Sequence, residues 1–78
     1  MSYRATVSSP AALGLALQQA RLAARITQRD LAQRIGTSQR YIWELESGKE
    51  SAVLTRLIDA LRETGATMYV DVPEGDDE

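Results

Sequence analysis

Residues 27–49 read TQRDLAQRIGTSQRYIWELESGK, and the fold follows from this stretch. Thr27 is a good helix N-cap. Asp30, three residues on, can reach back to the Thr27 backbone in the manner of a capping box. Leu31, Ala32 and Ile35 then form a buried face, and Gly36 suits the left-handed position that ends a helix. The spacing predicts a helix over 28–35. Ser38 is the N-cap of a second helix in which Ile42 and Leu45, three apart, face inward, and which ends at Ser47, Gly48 and Lys49. The two helices are joined by only two or three residues, starting at a glycine, and Ala32 is small enough to let them cross closely.

Working outward, Ser9 and Pro10 make a helix start, because proline's missing N–H costs nothing at the first helical position. Leu13, Leu17, Ala20 and Ala24 recur at helical spacing, so a helix is expected over 10–24. Ser51 caps a further helix over 52–63, with Leu54, Leu57, Ile58 and Leu61 on one face and Thr64 and Gly65 as its stop. The period then changes to two: Met68, Val70 and Val72 alternate with Thr67, Tyr69 and Asp71, which is a strand signal closed by Pro73. A lone strand must pair either with residues 3–7 or with a second copy. Residues 1–8, where Tyr3, Ala5 and Val7 alternate weakly, read either as a disordered arm or as an edge strand. The organisation expected is an arm over 1–8, a helical domain over 9–65, a strand over 66–72 and a disordered acidic tail over 73–78. The fold class is mainly α, with four to five helices.

The 78 residues have a formal net charge of −2, which on its face argues against an acidic partner. That average hides a split. Residues 1–49 hold seven basic and three acidic side chains, a balance of +4, whereas residues 50–78 hold two and eight, a balance of −6. Five of those acids fall in the last eight residues. Without cysteine or histidine there are no disulfide staples, thiolate nucleophiles or usual zinc ligands, so neither a metal nor another cofactor is expected. An enzyme would need carboxylates or lysine alone, and no phosphate-cradling glycine loop is present; no catalytic residue is assigned. The longest apolar run, residues 10–17, is too short to span a bilayer, and no signal peptide is read. A secreted domain this small usually needs disulfide staples, so a cytoplasmic setting is expected. So small a domain is marginal alone, which favours self-association.

Two short helices about a tight glycine turn make a helix-turn-helix unit. Residues 27–49 closely resemble the Cro/C1-type (XRE) repressor family, agreeing at Gln28, Leu31, Ala32, Ile35, Gly36, Gln39, Ile42, Glu46 and Gly48. The flanking helices fit as well, so the resemblance implies a lambda-repressor-like domain that binds double-stranded DNA. It also implies that Gln28 bonds a phosphate, that Ser47 and Lys49 meet a second one, and that Arg21 pairs with Glu46 as a structural tie between the first helix and the third.

The first turn of the helix after Ser38 would enter the major groove. Ser38, Gln39 and Arg40 lie there. Gln39 can pair with adenine N6/N7 and Arg40 with guanine O6/N7, though Arg40 can equally grip a phosphate. Trp43, one turn on, can meet thymine methyls or sugars; the plainer alternative is partial burial against a neighbouring helix or a dimer partner. Tyr41 is expected near the DNA backbone or partly buried, and Glu44 at the periphery or against cytosine N4–H. The final helix, Gly65, the strand and the polar tail together resemble HipB-like antitoxins. That resemblance implies a homodimer whose strands, through Met68, Tyr69, Val70 and Val72, pair across the two-fold axis, with a HipA-like kinase toxin as a further partner. The tail departs from the pattern, since it carries no tryptophan. The reading is therefore a dimeric repressor of a near-palindromic operator in a toxin–antitoxin operon, against a stand-alone XRE regulator or an interaction module that has lost DNA binding.

Overall fold

The computed structural model describes residues 1–49 and 51–75. A strand β1 (Ser2–Thr6) leads into four helices, α1 (Pro10–Ala23), α2 (Gln28–Ile35), α3 (Gln39–Glu46) and α4 (Ala52–Glu63), and a second strand β2 (Tyr69–Pro73) closes the order. Each helix begins on a capping hydroxyl: Ser9, Thr27, Ser38 and Ser51 accept from the backbone N–H of Ala12, Asp30, Tyr41 and Leu54. Around Thr27 the capping box is complete, with Asp30 N–H on Thr27 Oγ1 at 2.9 Å and Thr27 N–H on Asp30 Oδ2 at 3.1 Å. Gly36 ends α2 at φ +76°, where a side chain would strain the backbone.

The helices α1, α2 and α3 form the body, with α1 also packed on the sheet. Val7, Ala16, Ala32, Ile42, Ile58 and Val72 are the buried hydrophobics. Gly14 lets α1 and α3 approach closely, since a Cβ there would sit 2.3 Å from the carbonyl oxygen of Leu45. That contact corrects one expectation. Along α3 the inward stripe is Ile42 and Glu46, four apart, and not Ile42 and Leu45. Backbone, rather than the Leu45 side chain, meets α1 at this level, so Leu45 turns aside and stays 38 % exposed. Ile35 was likewise expected inside but is 59 % exposed, because it sits in the last turn of an eight-residue helix.

The strand β2 finds its partner within the chain. It runs antiparallel to β1, with Arg4 opposite Asp71 and Ala5 opposite Val70. Of the two readings for residues 1–8, the edge strand holds, and the pairing expected from β2 across a dimer axis is occupied on one side by β1. Val7 N–H donates to Met68 O and Glu74 N–H to Met1 O, both at 2.9 Å. The alternation of an antiparallel ladder then turns the backbone groups of Tyr69, Asp71 and Pro73 outward. Proline lacks an N–H, so the free edge of β2 offers only two donors. Pro73 therefore sits in the strand without breaking a ladder bond. Residues 73–75 belong to the folded body, with Glu74 bonded to Met1, whereas the rest of the tail, residues 76–78, lies outside the described residues. Met68 precedes β2 and still bonds through its carbonyl. Val72 is fully buried, Val70 and Met68 are half-buried, and Tyr69 lies on the open face with Arg4 stacked 3.8 Å above its ring.

The approach of α1 to α3 generates a stability prediction. Gly14→Ala forces backbone against a methyl group and should lower unfolding stability by about 3 kcal/mol, the upper range for overpacking. Urea unfolding followed by circular dichroism measures it.

Candidate nucleic-acid interface

With Ile42 and Glu46 turned inward, the rest of α3 divides into two flanks. Gln39, Arg40 and Trp43 share one flank, and together with Gln28 from the first turn of α2 they line one open cleft. The Arg40 side chain is 83 % exposed and Trp43 is 57 % exposed. Trp43 is thus presented to solvent rather than packed on a neighbouring helix of this chain. The cleft offers an amide for adenine, a guanidinium for guanine or phosphate, and a flat apolar ring for sugar or methyl groups. Ser38 precedes Gln39 as the N-cap of α3, and its oxygen accepts the Tyr41 N–H at 3.1 Å; it does not itself line the cleft.

The remaining predicted residues lie elsewhere. Tyr41 occupies the opposite flank of α3, lining a hollow with Pro10, Leu45 and Leu54, so the structure does not bring it to the cleft. Ser47 and Lys49 gather at the C-terminal end of α3. There Ser47 Oγ donates to the Glu44 carbonyl at 2.8 Å, and Lys49 Nζ donates to Glu44 Oε2 at 3.1 Å. Glu44 also lies 3.7 Å from Arg40 Nε. A carboxylate thus sits between two cations that a phosphate would otherwise engage. These pairs are exposed, so exchanging them for phosphate contacts costs little.

Beneath the cleft lies a buried network. The guanidinium of Arg21 grips Glu46 with Nε on Oε2 at 2.5 Å and Nη2 on Oε1 at 3.0 Å, and its Nη1 donates to the Ile26 carbonyl at 3.0 Å. The two side chains are 11 % and 3 % exposed. Gln28 Nε2 donates to the same Glu46 Oε1 at 3.0 Å. The pairing of Arg21 with Glu46 is the one implied by resemblance. The bond from Gln28 was not anticipated, and no periodicity marks it, because the partners lie 18 residues apart. It bears directly on Gln28's role. One amide hydrogen is spent on Glu46, which fixes the side chain, and the second remains free to donate outward.

Hydrogen bonds from Arg21 hold the Glu46 carboxyl below the usual carboxylate range, against the opposing effect of burial and with help from Gln28. The same bond raises Arg21 further above its already high value. Asp30 is lowered chiefly by the backbone N–H of Thr27. Among the described residues, no three His, Cys, Asp or Glu side chains gather as a metal site, and no helix is long and apolar enough to cross a membrane.

Comparison with known proteins agrees with this geometry. The family described as "Helix-turn-helix domain" matches residues 12–68, which runs from α1 to the approach to β2. No curated protein and no solved structure gives a significant match.

The network predicts the acid limb of stability. Glu46 has a depressed folded pKa, so its contribution is fully present above its unfolded value of about 4.3 and is lost as pH falls through the folded one. Glu46→Gln should flatten the stability-versus-pH curve below about pH 4.5 while leaving a smaller slope from Asp30. Arg21→Ala strands a buried carboxylate and should cost about 3–5 kcal/mol near neutrality. Thermal unfolding across pH 3–7 reads both.

Proposed function

This chain belongs to the helix-turn-helix domain family, and from that premise we propose that it is a sequence-specific DNA-binding repressor acting as a homodimer on a near-palindromic operator. The observation that carries the reading is the open cleft of Gln28, Gln39, Arg40 and Trp43 at the junction of α2 and α3. The N-terminal half of α3 enters the major groove, where Gln39 and Arg40 read base edges. Gln28 turns its free amide hydrogen, and α2 its N-terminal N–H groups, to a phosphate. Ser47 and Lys49 serve a second phosphate, with Lys49 leaving Glu44 as it binds. The positive balance of residues 1–49 supplies attraction to the duplex. On this reading the protein acts on bacterial DNA in the cytoplasm.

Within this reading the chain is the antitoxin of a HipBA-type operon, repressing its own promoter and binding a HipA-like kinase. Support comes from the succession of α4, Gly65, a hydrophobic strand and an acidic tail. A stand-alone regulator is the second reading, favoured by the pairing of β2 with β1 inside one chain. A kinase-like reading frame beside the gene separates the two.

The chain should shift its own upstream DNA in a salt-sensitive, sequence-selective manner, and no such shift overturns the repressor reading. Gln39→Ala and Arg40→Ala should each relax specificity at one base pair, at about 1–3 kcal/mol per lost bidentate contact. Binding titrations against single-base operator variants measure this; uniform weakening on every sequence would assign both residues to phosphates.

A further inference from the structure

The helix α4 buries one face only. Ile58 lies inside, with Leu54 and Leu61 half-covered beside it, and Arg62 Nη2 holds the Ser8 carbonyl at 3.0 Å. Leu57, grouped by spacing with Leu54, Ile58 and Leu61, is instead exposed: it falls on the adjoining flank, where Val53, Leu57 and Ala60 at i, i+4 and i+7 form a second apolar stripe facing solvent. Val53 is 80 % exposed and Leu57 51 % exposed. A helix whose apolar surface extends beyond the face it buries is built to be covered there as well.

Charges beside this stripe identify what covers it. Arg56 and Glu63 are exposed, lie along the same margin two turns apart, and form no ion pair among the described residues. We propose that α4 packs antiparallel against α4 of a second copy about a two-fold axis that crosses between residues 59 and 60. The inference deepens the dimeric repressor reading and rests on its two-fold symmetry. A two-fold interface brings the same patch to itself, so each flanking charge must find its opposite on the same helix. An axis midway between Arg56 and Glu63 sets each Arg56 level with Glu63 of the mate, giving two ion pairs. The same axis passes beside Ala60, whose single methyl lets the helices approach, with Leu57 and Val53 packing outward from it. Strand pairing through β2 is the poorer route, since its free edge offers only the N–H groups of Tyr69 and Asp71.

The test uses the absence of cysteine from the chain. With the axis at 59/60, two copies of Ala60→Cys face each other within disulfide reach, whereas two copies of Val53→Cys stand about 20 Å apart along the helices. Under mild oxidation of the full chain, Ala60→Cys should form covalent dimer several-fold faster than Val53→Cys and than Gln19→Cys, a control on the exposed side of α1. In the Ala60→Cys background, Arg56→Glu and Glu63→Arg should each slow trapping, and the two together should restore it. Trapping of Ala60→Cys no faster than of Gln19→Cys, or indifferent to either charge reversal, overturns the proposal. Gel shift on the upstream DNA keeps the two readings apart. A selective shift without Ala60 trapping removes the α4 interface alone, and Ala60 trapping without a selective shift supports the interface and removes the repressor reading.

Discussion

The bidentate grip of Arg21 on Glu46 is the contact on which the rest of the arrangement depends. It joins the last turn of α1 to the last residue of α3, and through Gln28 it also holds the first turn of α2. Three helices with little hydrophobic core between them are thereby set at one vertex. A buried ion pair is not a strong source of net stability, because desolvation offsets much of the attraction. Its effect here is geometric. It fixes where α2 begins relative to the flank of α3 that carries Gln39, Arg40 and Trp43, and so it shapes the cleft.

This arrangement divides labour along α3, an eight-residue helix. The inward stripe of Ile42 and Glu46 supplies anchoring, one flank supplies groups able to read bases, and the opposite flank, with Tyr41 and Leu45, belongs to a separate hollow. Glu44, in the second half of α3, is paired with both Arg40 and Lys49. Charge separation on the larger scale has the same logic. The acidic balance of the whole chain comes from residues 50–78, while the portion containing α1 to α3 is basic, so net charge describes neither part.

The body is completed by a sheet that the chain makes for itself. Residues at the two ends pair as β1 and β2 beneath α1, with Val72 fully buried. With the ends closed together, α4 still keeps an uncovered apolar stripe. Self-association through α4, as proposed above, covers that stripe without disturbing the cleft residues of α2 and α3.

Local sequence determined a good deal. The four capping hydroxyls, the capping box at Thr27 and the glycine after Ile35 are interactions within four residues, so the bounds of α2 and α4 could be read directly. The unit formed by α2 and α3 followed from the same short-range signals, and so did the exposure of Gln39 and Arg40 at the start of α3. Tertiary structure decided what depends on distant partners. Whether residues 2–6 form a strand turns on Asp71 and Val72 being brought opposite, nearly seventy residues away. That α3 buries Glu46 rather than Leu45 was illegible from apolar periodicity, since a carboxylate enters a core only where an arginine from another helix meets it. Resemblance implied a phosphate-binding role for Gln28, but its bond to Glu46 exists only once α2 and α3 are packed. Short-range hydrogen bonding wrote the elements into the sequence, while the pairing of buried charge and of strand edges, which requires groups far apart in the chain, was settled by the fold.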